Sequence, residues 1–251
     1  MQPDGSVQDN PHTLTPSINQ LMSEGIKLTA YHTYKVCAPS RAAIMTGRYP
    51  WGVGYYDMKG PEAIPLGFKL VSNLLADAGY ETHAIGKWNL GSKIKPYTPT
   101  RRGFSTFFGY YAACQVDYWY HGAGPQECGQ KGVGGHDGIP LHVGNITDLS
   151  NSSAATDIQP ARGFNGTYNE EMFTAEAERL IAKHAAGLRS GDIAAGAGFY
   201  LYLAYHNVHG ATNDLASQQA PQATVDLYNT TKLDTYKVAG AETSLSIAIL
   251  Y

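Results

Sequence analysis

An α/β sheet flanked by helices is the architecture this 251-residue sequence predicts. The reason is an alternation of strand-like and helix-like segments. Gly198-Phe-Tyr-Leu-Tyr-Leu-Ala-Tyr reads as a buried strand, since it is a short, almost unbroken apolar run. The helix before it, over 170–188, spaces Phe173, Ala177, Leu180, Ile181 and Ala185 along one side. A third observation concerns placement: Cys37, Lys87 and His209 each stand just past a predicted strand. Ligand sites in open α/β sheets lie beyond the carboxyl ends of strands, so the three point to one shared site.

The elements follow in order. Residues 1–14 are polar, carry Pro3, Gly5 and Pro11, and read as a loop. Thr15-Pro16-Ser17 opens a helix with Thr15 as N-cap and Pro16 at the first position. Ile18, Leu21 and Met22 form its apolar side and Gly25 ends it. Residues 26–34 are rich in β-branched and aromatic types and predict a strand that delivers Cys37 to the sheet edge. Residues 50–65 are punctuated by Gly and Pro and predict a loop near the site. A second amphipathic helix is expected over 68–78, with Phe68, Val71, Leu74, Leu75 and Ala78 on one side, and a strand over 80–85. Residues 96–111 hold an aromatic cluster, whose members are core residues more often than ligand platforms. Glycine and polar residues dominate 112–167, which predicts an irregular excursion, and a last helix is expected near 233–250.

Bulk properties remove several function classes. With 18 basic and 21 acidic residues the net charge is −3, which gives no electrostatic case for nucleic acid or an anionic membrane. No apolar run approaches the ~20 residues that span a bilayer, and no apolar segment follows Met1 as a signal peptide requires. Four of the eleven asparagines, Asn145, Asn151, Asn165 and Asn229, nevertheless stand in N-glycosylation sequons. A secretory-pathway protein, lysosomal or extracellular, is therefore expected, and the missing signal peptide predicts an incomplete chain. Of the three cysteines, Cys114 and Cys128 could close a short disulfide or remain free thiols.

The most specific stretch is Cys37-Ala38-Pro39-Ser40-Arg41, followed by Thr46-Gly47-Arg48. Pro39 suits the first turn of a helix, Ala42, Ala43, Ile44 and Met45 continue it, and Gly47 ends it. Cys37 would then sit at a helix N-terminus, where unpaired N–H groups favour an anion. Arg41, about one turn on, adds a permanent positive charge.

The run 37–48 resembles the signature of the sulfatases, especially arylsulfatases that act on sulfated sugars. The resemblance implies an alkaline-phosphatase-like fold with a central mixed sheet. It makes 1–251 a partial catalytic domain: a core with the nucleophile motif over 15–110, an insertion over 112–167, and a helix, strand and truncated end over 168–251. It also implies that a formylglycine-generating enzyme oxidises Cys37 to formylglycine, whose hydrate is both nucleophile and metal ligand. Arg41 would hold that hydrate. Lys87, in Gly86-Lys87-Trp88, would bind sulfate oxygen, with Asn89 beside it against the substrate. His209 would contact sulfate or protonate the leaving oxygen, and His206 is the competing candidate. Arg101 and Arg102 match a Pro-Thr-Arg-Arg-Gly-Phe run and read as structural partners.

Two departures qualify the resemblance. Asn89 stands where relatives carry a histidine that takes a proton from the hydrate so that sulfate leaves, and an amide cannot titrate near neutrality. The family's divalent metal, usually calcium, takes Asp-Asp and Asp-Asn pairs that would fall before residue 1 and after residue 251. The expected function is hydrolysis of a sulfate ester, an aryl sulfate or a sulfated sugar. The alternative is a sulfatase-like protein that binds sulfated glycans without turnover. A phosphoryl-transfer relative would want Ser or Thr at position 37.

Overall fold

The structure is a computed structural model that describes residues 16–55, 63–92, 94–111, 118–119, 146–148, 164, 166–207, 209 and 220–226. Its elements are α1 (Pro16–Glu24), α2 (Cys37–Thr46), α3 (Val71–Asp77), β1 (Glu81–Lys87), β2 (Thr106–Tyr110), β3 (Ile146–Asp148), α4 (Asn169–Ser190), β4 (Phe199–Ala204) and α5 (Gln222–Val225). The four strands form one mixed sheet in the order β3-β2-β1-β4. β1 runs parallel to both β2 and β4, and β3 lies antiparallel to β2.

Alternation along the strands divides the core between two faces. Tyr200 and Tyr202 of β4 and Phe107 of β2 pack with Ala42, Met45, Leu70 and Trp88 on the side of α2 and α3. Phe199, Leu201 and Leu203 turn the other way and join Ile85, Phe108, Tyr110, Phe173, Ala177 and Leu180 under α4. The helices therefore cover both faces, the expected α/β layering.

Several expectations are corrected. Residues 26–34 form no strand: Ile26 is 91% exposed and the segment enters no ladder, without which β-propensity alone makes no strand. α1 forms where predicted but buries none of its residues. At α3 the inward residues are Leu70, the N-cap, with Val71 and Ser72, and Leu74 is exposed. Ser72 is buried because its hydroxyl donates to the Arg102 carbonyl at 2.5 Å. The aromatic cluster near 104–111 contributes β2, and Phe104, Phe107, Phe108 and Tyr110 are core. β4 is less buried than its composition predicts, since among the described residues it is an edge strand. The excursion 112–167 holds β3 and a turn at Tyr118 and Trp119. The helix near 233–250, both remaining cysteines and the four sequon asparagines lie outside the described residues.

β1 extends two residues further than expected, through Gly86 and Lys87. Gly86, at φ 92°, pairs with Gly109 of β2 and with Ala204 of β4. A Cβ on Gly109 would fall 1.9 Å from the Gly86 carbonyl oxygen, and one on Gly86 would fall 2.0 Å from that of Ala204. These are backbone atoms in a three-strand ladder and cannot yield alone. Gly109→Ala should therefore cost roughly 3 kcal/mol, a fall in melting midpoint of about 6–12 °C. Gly67→Ala, where a Cβ meets nothing within 4 Å, is the control. Equal melting of the two variants would show that the strands can separate freely at this point.

Candidate active site

The site is built where α2 begins and β1 ends. Val36 precedes α2 at φ 57°, a left-handed backbone that is strained for a β-branched residue. Ser40 holds that entry, donating its hydroxyl to the carbonyls of Tyr34 at 2.6 Å and Val36 at 2.8 Å. Pro39 falls at the third helical position rather than the first, still among residues whose N–H has no intrahelical acceptor. Ala42 and Met45 are fully buried and seat the helix on the sheet. Gly47 closes it at φ 64° with its N–H on the Ala43 carbonyl. Pro39, Ser40, Ala42, Met45 and Gly47 thus each have a local task, and together they fix Cys37 as the first residue of α2.

The end of β1 meets it. After Lys87 the ladder continues irregularly, with Trp88 N–H on the Tyr110 carbonyl and Asn89 N–H on that of Tyr111. The Trp88 indole donates to the carbonyls of Gly91 and Tyr97, which locks the turn that follows. Asn89 takes φ 55°, a region in which asparagine is among the commoner non-glycine residues. Val36 and Asn89 are the two non-glycine residues with positive φ among those described, and they flank Cys37 from its two sides.

Four predicted residues converge here. The Asn89 amide donates to Cys37 Sγ at 3.2 Å. Arg41 donates through Nη1 to the Lys87 carbonyl at 2.6 Å and to the Tyr202 hydroxyl at 3.0 Å. Lys87 is 2% exposed. Burial pushes its ammonium down to about 8; the adjacent Cys37 sulfur opposes that shift and Arg41 adds to it. Burial raises the Tyr202 phenol, against the pull of Arg41.

The two histidines divide. His206, just past β4, is buried and held well below the ordinary imidazole range by burial, then by the charges of Lys87, His209 and Arg41. It therefore lies within electrostatic reach of Lys87 and Arg41, with its ring packed edge-on against Tyr110 and Tyr118. Its ring nitrogens have no hydrogen-bond partner among the described residues. His209 is exposed, its ring centroid 5.5 Å from that of His206, and its carbonyl accepts from the Tyr118 hydroxyl. Glu170, in the first turn of α4, receives the N–H groups of His206 at 3.0 Å and Asn207 at 2.8 Å. Arg102 is buried and donates to the Phe68 carbonyl at 3.0 Å.

Sequence reasoning missed Glu170 and Tyr202. Glu170 had a faint signal, an acidic residue at a helix start, but its partners are 36 and 37 positions away. Tyr202 had only strand alternation, and its bond to Arg41 spans 161 residues.

Calcium and similar divalent ions take hard oxygen ligands, usually carboxylates. The described side chains at Cys37 are a guanidinium, an ammonium and an amide, and no group of three or more acidic, His or Cys side chains among the described residues could hold a metal. Among the described residues, these side chains do not fit such an ion.

The sulfatase family model matches residues 2–240. Mouse arylsulfatase J is 33% identical over 199 residues, 78% of this chain and 28% of the relative. Pig N-acetylgalactosamine-6-sulfatase is 33% identical over 118 residues, 42% of this chain and 22% of the relative. The crystal structure of Ps i-CgsB in complex with k-i-k-neocarrahexaose superposes with a TM-score of 0.65 at 24% identity, covering 95% of this chain and 48% of that one. The chain thus spans about a quarter of the length of those curated relatives. A match over nearly the whole chain, on a sequence whose motif residues the fold brings to one pocket, shows that the chain belongs to the sulfatase family.

Proposed function

We propose that the chain carries the nucleophile half of a site that hydrolyses a sulfate ester, with Cys37 acting after oxidation to formylglycine. The observation that supports this best is the convergence of Lys87, Arg41 and Asn89 on Cys37 at the start of α2. Formylglycine supplies, as its hydrate, a hydroxyl that can attack sulfur. Everything else falls to the chain's own residues.

Arg41, fixed on the Lys87 carbonyl, orients the modified side chain and adds a permanent charge. Lys87 donates to a sulfate oxygen, and in a dry pocket that charge acts at close to full strength. His206 and His209 stand on the side of the carboxyl end of β4. His209, the more solvent-facing, protonates the departing oxygen. His206 sits deeper, against Lys87 and Arg41. The substrate is an aryl sulfate or a sulfated sugar, in keeping with the named activity of N-acetylgalactosamine-6-sulfatase and the oligosaccharide bound by Ps i-CgsB. The partner that prepares the site is a formylglycine-generating enzyme, and the setting is the secretory pathway.

The second reading, binding of sulfated glycans without turnover, is favoured by one contact. Asn89 is the group that touches Cys37, and it cannot take a proton.

The full-length protein should be co-produced with a formylglycine-generating enzyme, its Cys37 peptide analysed by mass spectrometry, and aryl sulfate turnover measured. Conversion with turnover, abolished by Cys37→Ala, is expected. An unmodified thiol would sink the enzymatic reading; conversion without turnover would leave the binding one.

A further inference from the structure

β1 and β4 pair as far as Gly86 and Ala204. Beyond that rung the chain turns from His206 to His209, whose N–H donates to the His206 carbonyl at 3.0 Å. The N–H groups of His206 and Asn207 therefore have no place in the ladder, and His206 is buried. A buried N–H without an acceptor is costly, so the pair needs one from elsewhere in the fold. Glu170 supplies it: one oxygen, Oε1, accepts both, at 3.0 Å and 2.8 Å. The carboxylate is 1% exposed and stands in the first turn of the 22-residue α4, the end of a helix at which negative charge is favoured. Two further bonds tie the same turn to the same region. The Asn207 amide donates to the Tyr168 hydroxyl at 3.0 Å, and the Tyr118 hydroxyl donates to the His209 carbonyl. Tyr118 and Tyr168 are buried, with ring centroids 6.0 Å apart, and the Asn169 N–H donates to the Tyr118 carbonyl at 2.9 Å. The turn is thus held at its start by Glu170 and at its end by Tyr118, with Tyr168 between.

We infer that Glu170 is a positioning residue: by holding the start of this turn it sets where His209 meets the departing oxygen. This role rests on the proposed hydrolysis, with His209 as its acid. Reach, more than charge, is what the geometry demands, since the carboxylate spans from α4 to two backbone groups past the end of β4. Glutamine offers an oxygen at the same reach, whereas aspartate is one methylene shorter and falls short of both N–H groups. A misplacement of about 1 Å can cost a reaction about 10²-fold. That loss should fall on the step that uses the proton of His209.

Glu170→Ala, Glu170→Asp, Glu170→Gln, Tyr168→Phe and His209→Ala should be compared in the full-length, formylglycine-bearing protein on two substrates. Nitrophenyl sulfate releases its phenolate readily, and phenyl sulfate needs a proton on the leaving oxygen. Amide exchange of the peptide carrying His206 and Asn207, read by mass spectrometry, follows the turn without turnover. Ala and Asp at position 170 should lose about 10²-fold in kcat on phenyl sulfate and less than about tenfold on nitrophenyl sulfate. KM should change little, and exchange at the turn should quicken. Gln should recover most of what Ala loses, in turnover and in exchange. Tyr168→Phe, which keeps its buried ring, should show the same substrate preference to a smaller degree, and it carries the test if Glu170→Ala does not fold. Equal losses on the two substrates, or a Gln variant as poor as Ala, would overturn the positioning role. Equal losses in His209→Ala would remove His209 as the acid, and a parent without turnover would remove the hydrolysis. In either case, exchange that quickens in Ala and Asp but not in Gln upholds Glu170 as the anchor of the turn, and unchanged exchange overturns it.

Discussion

Asn89→His should raise aryl sulfate turnover of the full-length, formylglycine-bearing protein by about 10²–10⁴-fold, the usual contribution of a general base. In the mechanism proposed above, release of sulfate needs a proton to be taken from the remaining hydroxyl of the modified residue 37. The group that touches that side chain is the Asn89 amide, at 3.2 Å. The backbone permits the exchange, since histidine shares with asparagine an enrichment at positive φ, and Asn89 sits at 55°. The charges permit it too. Lys87 and Arg41 already help hold His206 well below the usual imidazole range, and an imidazole at 89 would feel the same cations and stay neutral and basic at pH 7. Steady-state kinetics across pH 6–8 decide the matter. An unchanged rate against an active parent would assign proton removal to another group, with His206 next to be tested.

Lys87→Met should move activity and stability in opposite directions. The folded ammonium titrates at about 8 against an ordinary 10.5, chiefly because burial disfavours its charge. At about 1.4 kcal/mol per tenfold change in proton affinity, a charged Lys87 destabilises the fold by roughly 3 kcal/mol. The folded chain binds fewer protons than the unfolded one between about 8 and 10.5. The penalty is therefore fully present below about 8 and is relieved as pH rises through that window. Methionine keeps the volume and removes the charge. The variant should melt higher at pH 7 and lack the rise in stability that the parent shows from pH 8 to 10. Turnover should drop by about 10²–10³-fold, as when one donor to a developing anion is lost. Melting curves and kcat on the same samples test both halves. A variant that melts lower as well would mark Lys87 as a structural residue.

What could be read from the sequence was what is local. α2, α4 and β4 each carry their pattern within a dozen or two residues, and the structure has them. β2 was not legible, because Thr106-Phe107-Phe108-Gly109-Tyr110 becomes a strand by pairing with β1, and its Gly109 is a weak strand former that this pairing demands. The opposite error at 26–34 has the same origin: favourable residue types, no ladder to join. At the site, the motif residues were legible but their mutual supports were not. Tyr202 on Arg41 and Glu170 beneath His206 join residues far apart in sequence, and no local pattern announces such bonds.

Arg41 is held by a backbone carbonyl and a phenol rather than by a carboxylate. A guanidinium paired with Asp or Glu spends its charge on the partner, and acidification alters the balance by protonating it. Neither anchor of Arg41 can gain a proton at any physiological acidity. Lowering the pH can only add charge to this pocket, first on Lys87, which burial holds at about 8, so its attraction for a sulfate strengthens as the pH falls through that value. An anion trap built this way works in an acidic compartment without retuning.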